Sequence, residues 1–110
     1  MDEALKQLTG GERDAVCVLN LNDNNMSSVP QSITLSRNLE VLWLHMNNIS
    51  EMPSFLTQLT ALKILYCSAN CLVSVPREIS MLFNLEELGL YDNQLSSVPA
   101  SLVILTNLRS

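Results

Sequence analysis

A chain of 110 residues supports one domain with a real core and no second module. Its 47% apolar content argues against disorder, and six basic against eleven acidic residues, a net charge of −5, argue against a nucleic-acid or anionic-membrane partner. No run approaches the ~20 apolar residues that cross a bilayer, the acidic start Met1-Asp2-Glu3-Ala4-Leu5-Lys6 is unlike a secretory signal, and three cysteines without paired spacing suit a reducing compartment, so a cytoplasmic domain is expected.

The first element in chain order is a short helix over 2–8, with Leu5 and Leu8 facing the first repeat unit and Thr9-Gly10-Gly11 ending it, so that residues 1–15 read as an N-terminal cap. Beyond it the chain repeats itself. Pro30, Pro53, Pro76 and Pro99 are each 23 positions apart, and the same step links Asn24, Asn47, Asn70 and Asn93, as well as Val16, Leu39, Leu62, Leu85 and Leu108. With 21 Leu and 11 Asn in the chain, three residue types on one period define four units, 16–38, 39–61, 62–84 and 85–107. Leu108-Arg109-Ser110 opens a fifth, giving a repeat domain over 16–110. That unfinished unit reads as part of a longer array; the alternative is self-association through an uncapped C-terminal edge.

Each unit follows Leu-x-x-Leu-x-Leu-x-x-Asn-x-Leu-x-x-Val-Pro-x-x-Ile-x-x-Leu, with conservative swaps. The second unit carries it as Leu39, Leu42, Leu44, Asn47, Ile49, Met52, Pro53, Leu56 and Leu59. Leu42 and Leu44 alternate with Val41, Trp43 and His45, the period of a strand buried on one face. About 20 residues separate successive strands, which suits a parallel crossover and not a hairpin. The Val-Pro step demands extended backbone before a residue whose fixed φ opens a helical turn. Ile79 and Leu82, three apart, turn one face of that helical or 3₁₀ segment inward. The asparagine answers the bend after the strand: its amide offers donors and an acceptor to backbone groups that have left the ladder, a structural role and not a binding one.

This pattern resembles the leucine-rich repeat over residues 16–108, and its 23-residue unit ending in Val-Pro or Met-Pro is similar to the intracellular Ras-group, scribble-like class. The resemblance implies an α/β fold: a right-handed solenoid, parallel strands on the concave face and short helical or 3₁₀ segments on the convex face. It further implies a cytoplasmic scaffold, adaptor or regulator of signalling, with a small GTPase, kinase or phosphatase as partner. The alternative is the recruiting or sensing segment of a larger signalling enzyme, a kinase or ubiquitin ligase. No binding residue transfers by motif, because the class is defined by its core slots.

Two slots depart from the pattern. Ser36 stands where Leu59, Leu82 and Leu105 stand, with Leu35 beside it, which predicts a one-residue shift in the first return segment. Cys67 takes a core leucine slot and reads as a buried, inert thiol, while nothing near Cys17 or Cys71 lowers a pKa. Asn25-Met26-Ser27 and Asn48-Ile49-Ser50 match the glycosylation sequon, yet they fall in one repeat slot and read as by-products of it.

Enzyme chemistry finds little here. His45 is the single histidine, the glycines form no phosphate cradle, and no His, Cys or carboxylate cluster has metal spacing, so neither catalytic residue, metal nor cofactor is expected. Binding fares better. Strand alternation sets the non-leucine positions in columns: Val18, Val41, Ile64, Glu87; then Asn20, Trp43, Tyr66, Gly89; then Asn22, His45, Ser68, Tyr91; then Asp23, Met46, Ala69, Asp92. Val41, Trp43, His45, Met46, Ile64, Tyr66 and Tyr91 therefore form one apolar and aromatic patch that core packing does not require, the expected partner-binding site. Trp43 and Tyr66 should touch, and Glu40, Glu86, Glu87 and Asp92 border the patch, pointing to a partner with a basic rim.

Overall fold

The computed structural model describes residues 17–95, so the cap over 1–15, the second half of the fourth unit and the start of a fifth lie outside the described residues. Within them four short strands, β1 (Val18–Asn20), β2 (Val41–Trp43), β3 (Ile64–Tyr66) and β4 (Glu87–Gly89), pair in parallel in the order β1-β2-β3-β4. Their register joins Val18, Val41, Ile64 and Glu87, then Leu19, Leu42, Leu65 and Leu88, then Asn20, Trp43, Tyr66 and Gly89. These are the columns the alternation predicts. Ladder hydrogen bonds continue past the strands, from the Leu44 N–H to the Tyr66 carbonyl at 2.7 Å and from the Met46 N–H to the Ser68 carbonyl at 3.1 Å.

Each crossover returns through a 3₁₀ segment: Gln31–Leu35, Ser54–Gln58 and Arg77–Met81. Pro30, Pro53 and Pro76 precede them with φ of −68°, −73° and −65°, the values the pyrrolidine ring imposes. The segments close alike. The N–H groups of Ser36, Leu59 and Leu82 donate to the carbonyls of Ile33, Leu56 and Ile79 at 3.0, 3.0 and 3.1 Å. A further repeat feature, legible only once the turn is known, is a hydroxyl on the fourth residue: Thr34, Thr57 and Ser80 donate to the carbonyls of Gln31, Ser54 and Arg77.

The core is the row of leucine slots seen in the sequence, with Leu39, Leu42, Leu44, Leu59, Leu62, Leu65, Leu82 and Leu85 fully buried. Each such side chain contributes roughly 1.5–3 kcal/mol by leaving water, and it does so only against the next unit, because one coil has no interior of its own. The first unit corrects one expectation. Ser36 is itself buried in the Leu59 and Leu82 slot, Ile33 is in register with Leu56 and Ile79, and Leu35 is 38% exposed. The return segment does not shift; the stack accepts a serine there, with its hydroxyl left without a partner.

At the bend after each strand the amide column forms as expected at three of its four positions. Asn47 Nδ2 donates to the carbonyls of Leu21, Leu44 and His45, and its Oδ1 accepts from the N–H groups of Asn24 and Met26. Asn70 serves the carbonyls of Leu44, Cys67 and Ser68 and the N–H of Ile49; Asn93 serves those of Cys67, Leu90 and Tyr91 and the N–H of Leu72. Asn24 has an exposed side chain and joins through its backbone. Just before the amide the chain turns left-handed, at Asp23, Met46, Ala69 and Asp92, all with φ between 54° and 57°. That column is therefore a turn and not a continuation of the strand alternation.

Candidate partner-binding face

On every strand the middle residue points into the core and its two neighbours point out, so the outer face is built from residues the packing leaves free to vary. The expected patch is less open than the sequence suggests. Val41, Trp43, His45, Ile64 and Tyr66 are half-buried against one another, because parallel strands ~4.8 Å apart press large neighbours together. Only Met46, 56% exposed at its turn, and Tyr91, 70% exposed, stand clear. Val41 and Ile64 pair at the start of the strands, two residues before Trp43 and Tyr66.

Four rings form a continuous row. Trp43 and Tyr66 meet with centroids 6.4 Å apart and planes tilted by 34°. Tyr66 and His45 are closer, at 5.0 Å and nearly parallel at 13°, and His45 meets Tyr91 at 6.2 Å and 42°. His45 is the hinge of this row. Its backbone N–H donates to Asn22 Oδ1 at 2.7 Å, and its Nδ1 accepts the Ser68 N–H at 3.0 Å, which fixes the ring plane against Tyr66. The lone histidine is thus built into the face through the ladder rather than merely exposed on it.

Three residues complete the face. The Tyr66 hydroxyl donates to Glu87 Oε2 across the β3–β4 step, and this bond, followed by desolvation, raises the phenol above its ordinary value. Gly89 stands where Trp43 and Tyr66 stand in the neighbouring strands: a β-carbon there would lie 3.0 Å from Tyr66 Cδ1, 3.2 Å from Ser68 Oγ and 3.6 Å from His45 Cε1. The missing side chain thus lets Tyr66 and His45 lie close over the strand, and beside them is an open hollow of ≈ 560 Å³ lined by His45, Tyr66, Glu87, Gly89 and Tyr91. Ser68 is 1% exposed and its hydroxyl has no partner. Gly89 was readable as the one glycine within the repeats; Ser68 carried no such signal.

Cys67, in its leucine slot, is buried, and burial alone pushes its thiol up to about 12, which makes it an inert packing residue. Glu40 pairs with Lys63 at 3.5 Å at the rim of the sheet, an exposed pair worth at most about 1 kcal/mol.

The family model described as Leucine Rich repeats (2 copies) matches residues 37–80. Among solved structures, a leucine-rich repeat protein of Leptospira interrogans superposes with a TM-score of 0.83 at 30% identity, over 94% of this chain and 27% of that one. An internalin, inlF, from Listeria monocytogenes gives 0.82 at 27% identity, over 96% and 32%, and the internalin inlC2 of the same organism gives 0.77 at 28%, over 90% and 42%. The chain therefore spans less than half the length of each of these proteins. None of the curated proteins matches it.

Proposed function

This chain belongs to the leucine-rich repeat proteins, whose repeats mediate protein–protein interaction, and from that premise we propose that it binds a partner protein on its concave face as a scaffold, adaptor or regulator of signalling in the cytoplasm. The observation that carries this reading is the row Trp43–Tyr66–His45–Tyr91 on outward slots, where leucine burial already accounts for packing and where Trp and Tyr dominate the energy of protein interfaces. Cross-strand stabilisation explains Val41 beside Ile64, but it does not call for an exposed Tyr91 at the end of the ring row.

The test is affinity capture from a lysate of the source cells with the folded domain, run beside Trp43→Ala/Tyr66→Ala and a control, Met81→Ser, on the exposed side of the third 3₁₀ segment. A partner retained by the native chain and the control, and lost by the double variant with its circular dichroism unchanged, supports the reading. Equal capture by the double variant overturns it.

A further inference from the structure

The hollow beside β4 combines features that single out one kind of occupant. The rings of Tyr66, His45 and Tyr91 line it, the first two stacked on each other, with Tyr91 exposed at one side; Gly89 lies in the lining beneath Tyr66; and Glu87 places a carboxylate at its side. Ring faces carry negative charge density, so they attract cations and not anions. The carboxylate has about four acceptor positions, and the Tyr66 hydroxyl occupies one; Glu87 is in no ion pair with a described residue. The chain as a whole carries eleven acidic against six basic residues, and Asp92 stands exposed beside Tyr91.

We propose that this hollow receives an arginine side chain of the partner protein, its guanidinium stacked on the Tyr66 and Tyr91 rings and forked onto the free acceptor positions of Glu87. A planar guanidinium both stacks on ring faces and matches a carboxylate, whereas a lysine ammonium is a strongly hydrated point charge that does neither as well. The proposal rests on the concave-face reading above and names the chemistry of what that face recognises.

The probe is the blocked tripeptide acetyl-Gly-Arg-Gly-amide, titrated against the whole chain while the ring resonances of His45, Tyr66 and Tyr91 are followed by NMR. Its citrulline counterpart keeps the planar shape and removes the charge, and its lysine counterpart keeps the charge and removes the plane. Saturable shifts with the arginine peptide, at least about tenfold weaker with either counterpart and about tenfold weaker on Glu87→Gln, support the assignment. Gly89→Ala, which drives a β-carbon towards Tyr66 Cδ1, should abolish them; urea midpoints equal to the native chain's show that both variants fold. No saturable shift by about 10 mM, equal binding of the citrulline or lysine peptide, or no effect of Glu87→Gln overturns the proposal. If the Trp43/Tyr66 double variant loses the captured partner while the arginine peptide fails, the concave-face reading stands and only the arginine assignment falls.

Discussion

Trp43 and Asn47 lie four residues apart, yet the molecule treats their slots in opposite ways. In the asparagine slot of the three inner bends the amide donates to the carbonyl three residues earlier at 3.2, 3.0 and 3.1 Å, one geometry copied across three units. In the tryptophan slot the same four strands carry Asn20, Trp43, Tyr66 and Gly89. The backbone problem is identical at these three bends, so one residue type solves it each time; the outward slot poses no backbone problem, so what stands there reflects whatever the face must meet.

The sharpest way to break that contrast is to remove one amide. Asn70→Ala leaves the buried Ile49 N–H without a partner and takes one of two amide donors from each of the buried carbonyls of Leu44 and Cys67, which should cost about 2–3 kcal/mol in urea unfolding. Trp43→Ala, by contrast, should cost roughly 1–2 kcal/mol, since it removes a half-buried ring and no backbone partner. Equal losses would mean that the face, too, is part of the frame.

A second test turns on Cys67 and on pH. Its thiol rises from an ordinary value of 9.0 to about 12 on folding. A raised value means that the unfolded chain gives up this proton first. The contribution of the buried thiol is therefore whole below pH 9.0 and is lost as pH climbs towards 12, at up to about 1.4 kcal/mol per pH unit. Cys67→Val should remove that loss, so the stability difference between variant and native chain shifts by about 1 kcal/mol from pH 9 to 10 and stays constant from pH 6 to 8.

The period, the strand columns, the leucine core and three of the four amide roles were legible because each depends on a residue type that the backbone demands at a fixed step. What escaped was set by tertiary fit. Leu35 beside Ser36 suggested a shifted return segment, but the register is held by Pro30 and Ile33, so Ser36 keeps its slot and is buried outright. The ring row was visible as composition, while the stacking of Tyr66 on His45 instead of on Trp43 depends on the Ser68 N–H and on the space above Gly89, neither of which the spacing reveals. Ser36→Ala sharpens the point: deleting a buried hydroxyl that has no partner should stabilise the chain by about 1 kcal/mol, whereas a shifted, exposed serine would give no change on its thermal midpoint.

The smallest effect lies at the left-handed turn. Aspartate, at Asp23 and Asp92, is one of the few residue types that enter such backbone readily, whereas Met46 and Ala69 adopt the same φ with side chains that have no polar atom to bond locally. For an L-residue that geometry costs roughly 1–2 kcal/mol, and glycine would relieve it while adding about 0.5–1 kcal/mol of chain entropy in the unfolded state. Ala69→Gly should therefore stabilise by about 0.5 kcal/mol, measurable as a raised urea midpoint with an unchanged slope. A loss instead would show that the half-buried Ala69 methyl packs on the Tyr91 side of the face, and the boundary between frame and face would then run one residue further along the chain.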